Sequence, residues 1–405
     1  MSSQDPSVYQ AALARGLVSR RTVMAGMAGV SAVAALAACG STGKGTSGSS
    51  APARVKAATD MSATEKVVNW SNWPSYMDVN TTTKNHPTLD AFTKKTGIKV
   101  NYTEDYNDNN EFYAKVRPLL AAGADTGRDV WVSTDWMVAR LIRENFVQKF
   151  DLANIPNHAN VEDALLNVLY DKGRLYSLPW QSGFTGIAWN PKSTGGKKIE
   201  TVDQLLTDPK LKGKVTLLTE MHDTIGLVLI ALGKDPANFT DADFDAACAE
   251  IQKAKDAGQI KGFTGNDYTK PLASGDTAAC MAWTGDVVQL KADNPNLGYA
   301  LPTAGFMYWS DNFVIPNLAK HKKNAETVIN YYYDPAVMAQ VVDFVNYISP
   351  VKGSKAVLLK SDPAAATNPL IFPSPEVIAH AKIFRPLTAA EETKYNRKFQ
   401  AIVTG

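Results

Sequence analysis

Cysteine and histidine are scarce in this chain of 405 residues, which contains three cysteines and five histidines. Structural zinc sites usually combine four such ligands at short, paired spacings. No C-x-x-C pair occurs, and the histidines are scattered along the chain, as His86, His158, His222, His321 and His380. The sequence therefore predicts no metal site, and we expect no cofactor.

Sequence signatures of common catalytic sites are also missing. The chain has no G-x-S-x-G nucleophile elbow, no G-x-x-x-x-G-K-[ST] phosphate loop and no H-E-x-x-H motif. The members of a Ser/His/Asp triad need to meet only in space, so the sequence leaves such a triad open without favouring it. We predict that the protein is not an enzyme, with a cell-surface hydrolase as an alternative.

Charge of one sign does not dominate the composition. Lys and Arg number 42 and Asp and Glu number 40. The small positive excess lies before Cys39, where Arg15, Arg20 and Arg21 stand against Asp5. Proteins that bind nucleic acid concentrate basic residues on one face. The neutral remainder of the chain argues against a nucleic-acid partner.

Residues 1–39 are typical of an export signal. Arg20 and Arg21 precede an apolar run over residues 23–38 that is short and rich in Gly and Ala. The arginine pair suits a twin-arginine signal, and "LAAC" at residues 36–39 resembles the cleavage box of bacterial lipoproteins. That resemblance implies that Cys39 becomes a lipidated N-terminus. An uncleaved anchor helix is the alternative, and both arrangements place the body outside the cytoplasmic membrane.

The next segment predicts a tether, followed by a folded body. Residues 40–63 begin with a Gly/Ser-rich stretch that has nothing to bury, and folding is expected to start near Thr64. Two cysteines, Cys248 and Cys280, remain in the body. Their apolar surroundings favour buried free thiols, while a disulfide outside the cell stays open as the alternative.

The body combines strand-like and helix-like patterns. Residues 64–405 are too many for one ordinary core and suit two lobes. Strands are predicted in "KVVNW", "IKVNY", "DVWVS", "TGIAWN", "KVTLL", "ACMAW" and "FVIP". Helices are predicted in "TLDAFTKKTG", "NEFYAKVRPLLAAG", "TDWMVARLIREN", "DADFDAACAEIQKAKDAG" and "KNAETVINYYYDP". The alternation predicts an α/β fold with mostly parallel sheets and ligands at the carboxyl ends of strands.

Aromatic and acidic residues follow several predicted strands. The segments are "NWSNWPSY", "STDW", "TEMHDT" and "TGD", and "MYWSDNFVIP" surrounds Asp311 with apolar side chains. A lone buried carboxylate is costly and needs a partner. Asp311 therefore either caps a turn at a strand end or binds a cation that the protein itself does not supply.

These segments resemble, in the same order, the polyamine-binding branch of the bacterial extracellular solute-binding proteins that serve ABC importers. The resemblance runs from about Glu65 to about Pro350 and includes "AFTKKTGIKVNY", "DVWVSTDWMVARLIRENFVQKFD", "YSLPWQSGFTGIAWNP", "ACMAWTGD" and "WSDNFVIP". It implies a two-lobe periplasmic-binding-protein fold, type II-like, that closes as a hinged clamp. Lobe 1 would comprise residues 64–178 and 311–346, and lobe 2 residues 179–310 and 347–405.

The resemblance implies a lipid-anchored receptor that captures spermidine or putrescine and delivers it to ABC permease subunits. Carboxylates in such a site hold the ammonium groups, and aromatic faces cover the methylenes. The same clamp holding another amine, an amino acid derivative or a sugar is the alternative. We expect a monomer, because the cleft must open and close, and contact with the membrane through the lipid anchor only.

The resemblance also implies site residues. Asp311 matches the acid that grips an ammonium, and Trp309 forms a wall beside it. Further positions match ligand-contacting residues of the family: Trp73, Tyr76, Thr134, Trp136, Trp283 and Tyr347. Strands that cross between the lobes near "YSLPW" and "LPTAGFMYW" would add Trp180 to the surroundings of the cleft.

The acids for the far ammonium depart from the family pattern. A gap-free alignment places uncharged residues there, with Glu220 and Asp223 each one residue away. An offset of one residue turns a helical side chain by about 100°. Asp135 and Asp286 are candidate replacements, and a helix N-cap is the alternative role for each.

The segment "YYYDP" at residues 331–335 permits two interpretations. Tyrosines ligate ferric iron in related binding proteins, but successive residues of a helix point to different faces. The pattern favours packing in the core and at its rim.

Overall fold

The computed structural model of the protein describes residues 56–405, so the predicted signal with Cys39 and most of the predicted tether lie outside the described residues. The strands of the described part are β1 (Val67–Asn72), β2 (Lys99–Glu104), β3 (Val130–Thr134), β4 (Leu178–Trp189), β5 (Val215–Leu218), β6 (Ile260–Thr264), β7 (Ala279–Trp283), β8 (Gly298–Ala300), β9 (Phe306–Val314) and β10 (Ala381–Lys382).

Helices separate these strands along the chain. The α-helices of the described residues are α1 (Pro87–Thr96), α2 (Asn109–Ala121), α3 (Asp135–Arg143), α4 (Pro191–Thr194), α5 (Val202–Thr207), α6 (Met221–Ala231), α7 (Asp241–Asp256), α8 (Thr269–Ser274), α9 (Thr284–Asp293), α10 (Lys322–Tyr332), α11 (Pro335–Val345), α12 (Ser354–Ser361), α13 (Pro363–Thr367), α14 (Pro375–His380) and α15 (Ala389–Thr404). Short 3-10 helices occupy Leu152–Asn154, Pro156–Asn160, Asp163–Leu165, Pro209–Leu211 and Asn266–Tyr268. No helix among residues 56–405 is long and apolar enough to cross a membrane.

All of these strands belong to one sheet, in the order β2-β1-β3-β9-β4-β7-β5-β6, with β8 beside β4 and β10 beside β9. The first sheet end (β1, β2 and β3) is parallel, and so is the second sheet end (β5, β6 and β7). The centre is antiparallel, because β9 pairs with β3 and β4, and β4 pairs with β7. The predicted α/β class is confirmed, and the expected parallel pairing holds at both sheet ends but not at the centre.

The central strands determine which side chains share a face. Every residue of β4 is buried. Successive side chains of a strand point to opposite faces, so Trp309 and Asp311 of β9 lie on one face and Tyr308 and Ser310 lie on the other. This alternation places an aromatic ring and a carboxylate side by side.

Trp180 does not line the cleft that the sequence predicts for it. Its side chain is fully buried in an aromatic cluster with Trp70, Phe313 and Tyr332, whose ring centroids lie 5.4, 5.1 and 5.2 Å from that of Trp180. A ring enclosed on these sides contributes to the core and does not reach a ligand. The position of Trp180 is therefore a correction to the sequence prediction.

The tyrosines of "YYYDP" pack as the sequence favours. Tyr332 and Tyr333 are fully buried, and the Tyr333 hydroxyl donates to the backbone oxygen of Pro179 at 2.7 Å. The Tyr332 hydroxyl lies 3.0 Å from Thr88 Oγ1. These contacts leave the two hydroxyls engaged in the core, which agrees with the packing interpretation.

The end of the predicted tether packs against the body. Ser62 is 3% exposed, and its Oγ accepts the Asn324 N–H at 3.0 Å. Ordered packing thus begins slightly before Thr64.

The two cysteines of the body do not form a disulfide. Cys248 on α7 and Cys280 on β7 are both free thiols, which the sequence favours.

Candidate ligand-binding site

Residues from both sheet ends line a cavity of about 380 Å³, here called the central cavity. Its lining consists of Trp73, Pro74, Tyr76, Asn109, Thr134, Glu220, Asp223, Asn266, Trp283, Asp286, Trp309, Asp311 and Tyr347. Most of these residues end a strand, come within a few residues of its carboxyl end, or lie on β9. An α/β sheet presents ligands at the carboxyl ends of its strands.

Asp311 occupies one side of the central cavity and is 4% exposed. The Tyr76 hydroxyl donates to its Oδ2 at 2.9 Å, and the Thr134 hydroxyl donates to its Oδ1 at 2.7 Å. Thr134 faces Asp311 because β3 and β9 pair in that register. Burial raises the pKa of Asp311 to about 7, although the two hydroxyl donors act in the opposite direction. Among the described residues, this carboxylate has hydroxyl donors but no cationic partner within ion-pair distance.

Asp286 lies in the first turn of α9, where its carboxylate reaches beyond its own helix. Its Oδ1 accepts the Tyr347 hydroxyl at 2.7 Å, and its Oδ2 accepts the Tyr268 hydroxyl at 2.8 Å and Asn266 Nδ2 at 2.9 Å. Burial raises the pKa of Asp286 to about 6. Trp283 occupies the N-cap position, so the N-cap alternative does not describe Asp286.

Asp223 lies in the first turn of α6 and also faces the central cavity. The Thr185 hydroxyl donates to its Oδ1 at 2.6 Å, and Trp283 Nε1 donates to its Oδ2 at 3.2 Å. Burial raises the pKa of Asp223 to about 6, because the two neutral donors compensate only part of the lost hydration.

Glu220 occupies the N-cap position of α6 and is 3% exposed. Its Oε1 accepts the backbone N–H of Asn109 at 2.8 Å and Asn109 Nδ2 at 2.9 Å. Burial, and then the negative charge of Asp108, raise the pKa of Glu220 well above its usual range. Glu220 and Asp223 are three residues apart, which places them on the same side of a helical turn. Both acids therefore reach the central cavity despite their one-residue offset from the family pattern.

Four aromatic rings form a continuous wall of the central cavity. The ring centroids of Trp73 and Trp283 lie 6.0 Å apart, those of Trp283 and Trp309 6.4 Å, and those of Trp309 and Tyr347 5.7 Å. The first two contacts are edge-to-face and the third is tilted, so the rings present faces in different directions. Such a wall offers both apolar area and the negative ring faces that attract cations.

A glycine on β4 makes room for one of these rings. Gly183 pairs directly with Trp309, and a Cβ atom at Gly183 would lie 2.6 Å from Trp309 Cζ2. Trp309 Nε1 also donates to Thr185 Oγ1 at 3.1 Å, which sets the orientation of the indole. The ring is thus held against the backbone of β4.

The electrostatic character of the central cavity is negative. Four carboxylates line it, and its lining as described contains no Lys, Arg or His. No group of three or more His, Cys, Asp or Glu side chains in residues 56–405 is arranged to hold a metal ion. The acids are distributed around the aromatic wall, so their charge suits an extended cation or several cationic groups.

Asp135 and Trp136 do not line the central cavity. Helix α3 begins at Asp135, so successive side chains turn by about 100° away from Thr134. Both residues line a separate space of about 1,020 Å³, open solvent included, behind β9, here called the rear cavity. They also line a smaller cavity to which Thr134, Asp223 and Trp309 contribute. Asp135 accepts the N–H of Trp136 at 2.7 Å, and the N-cap of α3 is Thr134. Trp136 stacks on His222 with a centroid separation of 4.5 Å.

The sequence prediction did not include Asn109 and Asn266, which also line the central cavity. Asn109 contacts Glu220 and also donates to Thr134 Oγ1 at 2.8 Å, and Asn266 contacts Asp286. Asn266 comes shortly after β6, and Asn109 follows β2, so the strand-end rule applied to amides as well as acids would have selected both.

Comparison with known proteins assigns the chain to a family. A sequence profile of the bacterial extracellular solute-binding proteins matches residues 88–372. The chain is 26% identical over 334 residues to the spermidine/putrescine-binding periplasmic protein of Escherichia coli (strain K12), covering 82% of this chain and 90% of that protein. It is 29% identical over 341 residues to the putrescine-binding periplasmic protein PotF of the same organism, covering 80% and 87%.

Solved structures share the fold. An ABC transporter protein of Listeria monocytogenes superimposes with a TM-score of 0.73 at 23% identity, covering 84% of this chain and 99% of that chain. The protein AgtB of A. tumefaciens, in complex with agropinic acid, gives a TM-score of 0.65 at 20% identity, covering 83% and 96%. The matching proteins are extracytoplasmic binding proteins for transport and not enzymes. From the profile match over most of its length, the chain belongs to the bacterial extracellular solute-binding protein family, and it acts as a binding protein.

Proposed function

We propose that this protein captures a polyamine, spermidine or putrescine, outside the cytoplasmic membrane and delivers it to an ABC permease. The observation that carries this proposal is a set of four buried carboxylates around one aromatic-walled cavity with no basic residue in its described lining. A polyamine would supply the missing positive charges. The names of the curated relatives support the same class of ligand.

The arrangement of acids suits a ligand with separated charges. Asp311 would hold one ammonium group, and Asp223 and Asp286 would hold another across the aromatic wall. Removing one partner of a desolvated ammonium–carboxylate pair costs on the order of 2–5 kcal/mol. Much of this cost comes from leaving the other charge buried without a partner. A desolvated cation over an aromatic face contributes about 2 kcal/mol. Several such contacts together offset the desolvation of a polyamine.

The predicted lobes provide the means of capture. Lobe 1 (residues 64–178 and 311–346) would supply Trp73, Tyr76 and Thr134, and lobe 2 (residues 179–310 and 347–405) would supply Asp223 and Asp286. The order of the sheet supports this division, because the antiparallel strands β9 and β4 lie between the two parallel sheet ends. Rotation about these strands would open and close the central cavity.

The proposal includes anchoring by lipid on Cys39 and action as a monomer. Lipid attachment is tested by growing cells with a radiolabelled fatty acid and comparing the protein with its Cys39→Ala variant. We expect label on the wild type and none on Cys39→Ala. Equal label on both proteins would contradict anchoring at Cys39.

Another amine, an amino acid derivative or a sugar remains the alternative cargo for the same clamp. The complex of AgtB with agropinic acid demonstrates that this fold by itself does not determine the ligand. A neutral sugar or a carboxylate would leave the four buried acids without positive partners, so each acid would have to take up a proton or bear the cost of an unpaired buried charge. The composition of the central cavity therefore favours a polycation.

Isothermal titration tests the proposal. The full-length protein, purified in detergent and freed of copurified ligand, is titrated with spermidine, putrescine, arginine and an uncharged sugar. We expect saturable binding of a polyamine near one-to-one and no heat from the sugar. Absence of binding by both polyamines in folded protein would refute the proposed cargo.

A pair of variants tests the site. Asp311→Asn removes the charge that faces the cavity, whereas Asp293→Asn removes an exposed charge at the end of α9. Asp311→Asn is expected to keep the fold and weaken polyamine binding by about 30-fold or more. Asp293→Asn should bind like the wild type. Equal affinity of the wild type and Asp311→Asn would remove Asp311 from the site.

A further inference from the structure

Three short segments meet across the central cavity. Residues 107–109, at the start of α2 at the first sheet end, contact residues that follow β5 and β6 at the second sheet end. Thr219 Oγ1 donates to Asp108 Oδ2 at 3.0 Å, and the Asn109 N–H donates to Glu220 Oε1 at 2.8 Å. The Asn266 N–H donates to the backbone oxygen of Asn107 at 3.0 Å. The two sheet ends are thus joined here by hydrogen bonds outside the strands that connect them.

A glycine sits at the tightest point of this contact. A Cβ atom added to Gly265 would lie 2.3 Å from the backbone oxygen of Asn107 and 2.8 Å from its Cγ. The backbone angles of Gly265 are φ −84° and ψ −134°, so its φ angle lies outside the left-handed region. The close approach of a chain segment from the opposite sheet end leaves no room for a Cβ atom at this position.

The same contact is connected to the acids of the central cavity. Asn266 Nδ2 donates to Asp286 Oδ2 at 2.9 Å. On the other side, Asn109 Nδ2 donates to Thr134 Oγ1 at 2.8 Å, and Thr134 donates to Asp311 Oδ1 at 2.7 Å. Hydrogen bonds therefore link the contact to Asp286 of the second sheet end and to Asp311 on the central strand β9.

We propose that residues 107–109, together with Thr219, Glu220, Gly265 and Asn266, form a closing seam, and that Gly265 is a positioning residue for ligand capture. The missing side chain of Gly265 lets the two sheet ends approach until the seam hydrogen bonds form. The closed seam retains the ligand, so it governs dissociation more than association. That the ligand is a polyamine rests on the proposed function, whereas the seam itself does not.

Two alanine variants in neighbouring positions test the seam. Gly265→Ala introduces the clash, and Gly262→Ala on β6 is the matched control, because a Cβ atom at Gly262 meets nothing within 4 Å. Stopped-flow mixing with spermidine or putrescine measures association and dissociation. Gly265→Ala is expected to dissociate about tenfold faster or more, with an association rate within about twofold of the wild type. Gly262→Ala should match the wild type in both rates.

A second variant keeps the test valid if Gly265→Ala does not fold. Thr219→Val retains the side-chain shape and removes the hydroxyl that bonds to Asp108. It is expected to accelerate dissociation about threefold to tenfold, the usual effect of losing one hydrogen bond. A wild-type dissociation rate in every one of these variants that folds would overturn the proposal of a closing seam.

A cross-linking measurement separates the seam from the identity of the ligand. In the double variant Asp108→Cys/Thr219→Cys, oxidation traps the molecule whenever the seam forms, with or without ligand. Adding Gly265→Ala is expected to slow cross-linking about tenfold, and adding Gly262→Ala should leave it unchanged. If the wild type binds no polyamine, the proposed ligand is refuted. The cross-linking rates still test whether the closing seam forms and whether it depends on Gly265. Equal cross-linking with and without Gly265→Ala would overturn the seam even if polyamines bind.

Discussion

Asp311→Asn is expected to gain stability relative to the wild type, in the ligand-free protein, as the pH rises from about 4 to about 7. The carboxylate is 4% exposed, and burial raises its pKa to about 7. In an unfolded chain the pKa of Asp is about 4. The folded protein therefore binds this proton more tightly than the unfolded chain, so the free energy of unfolding falls as the pH rises from about 4 to about 7.

The magnitude follows from the same two pKa values. One pKa unit corresponds to about 1.4 kcal/mol, so ionisation of Asp311 lowers the free energy of unfolding by roughly 2–3 kcal/mol between pH 5 and pH 8. Asparagine does not titrate and lacks this dependence. Any constant effect of the substitution, such as an altered hydrogen bond with Tyr76 or Thr134, is the same at both pH values and cancels in the comparison.

Urea unfolding of ligand-free protein at pH 5 and pH 8 measures the effect. The difference in free energy of unfolding between Asp311→Asn and the wild type should grow by roughly 2–3 kcal/mol over this interval. Asp293→Asn, at an exposed position, should show no such growth. A difference that does not depend on pH would refute the reasoning, because it would mean that the folded environment does not disfavour the Asp311 anion.

Further predictions concern binding. Polyamine affinity should weaken as the pH falls below about 7, where Asp311 becomes protonated, and further below about 6, where Asp223 and Asp286 follow. The loss should reach up to about tenfold per pH unit for each group that must release its proton. A flat affinity profile in calorimetry from pH 5 to pH 8 would contradict this. Trp309→Leu should weaken binding about tenfold through the lost ring face, with Trp309→Phe between Leu and the wild type in the same titration. Gly183→Ala should displace the Trp309 ring and weaken binding, whereas Gly262→Ala should not; equal affinities would show that the ring tolerates the added methyl group.

Much of the candidate site follows from local rules. Trp309 and Asp311 share a face because side chains alternate along a strand. Thr134 and Trp283 end strands of an α/β sheet, and Asp286 comes shortly after one, which brings all three to the same site. The amides Asn109 and Asn266 obey the same rule, but an amide carries neither the charge nor the ring face that points to an ammonium ligand.

Other assignments depended on where a helix begins. Glu220 and Asp223 reach the central cavity because α6 starts at Met221, which places both acids at its first turn. Asp135 and Trp136 turn towards the rear cavity because α3 starts directly after Thr134. A shift of one residue in either helix start would exchange the side chains that face the ligand, and sequence patterns do not resolve helix starts that finely.

By itself, the sequence determined the α/β class, the strands and helices named at the outset, and the family, because these follow from periodic patterns and ordered motifs within the chain. Only the tertiary structure decided that Trp180 lies in the core and that Asn109 meets Glu220 across the central cavity. It also decided that four buried carboxylates surround one cavity. None of the described residues that line this cavity is basic. These facts depend on contacts between distant segments, which the packing of the sheet ends sets and no local pattern encodes.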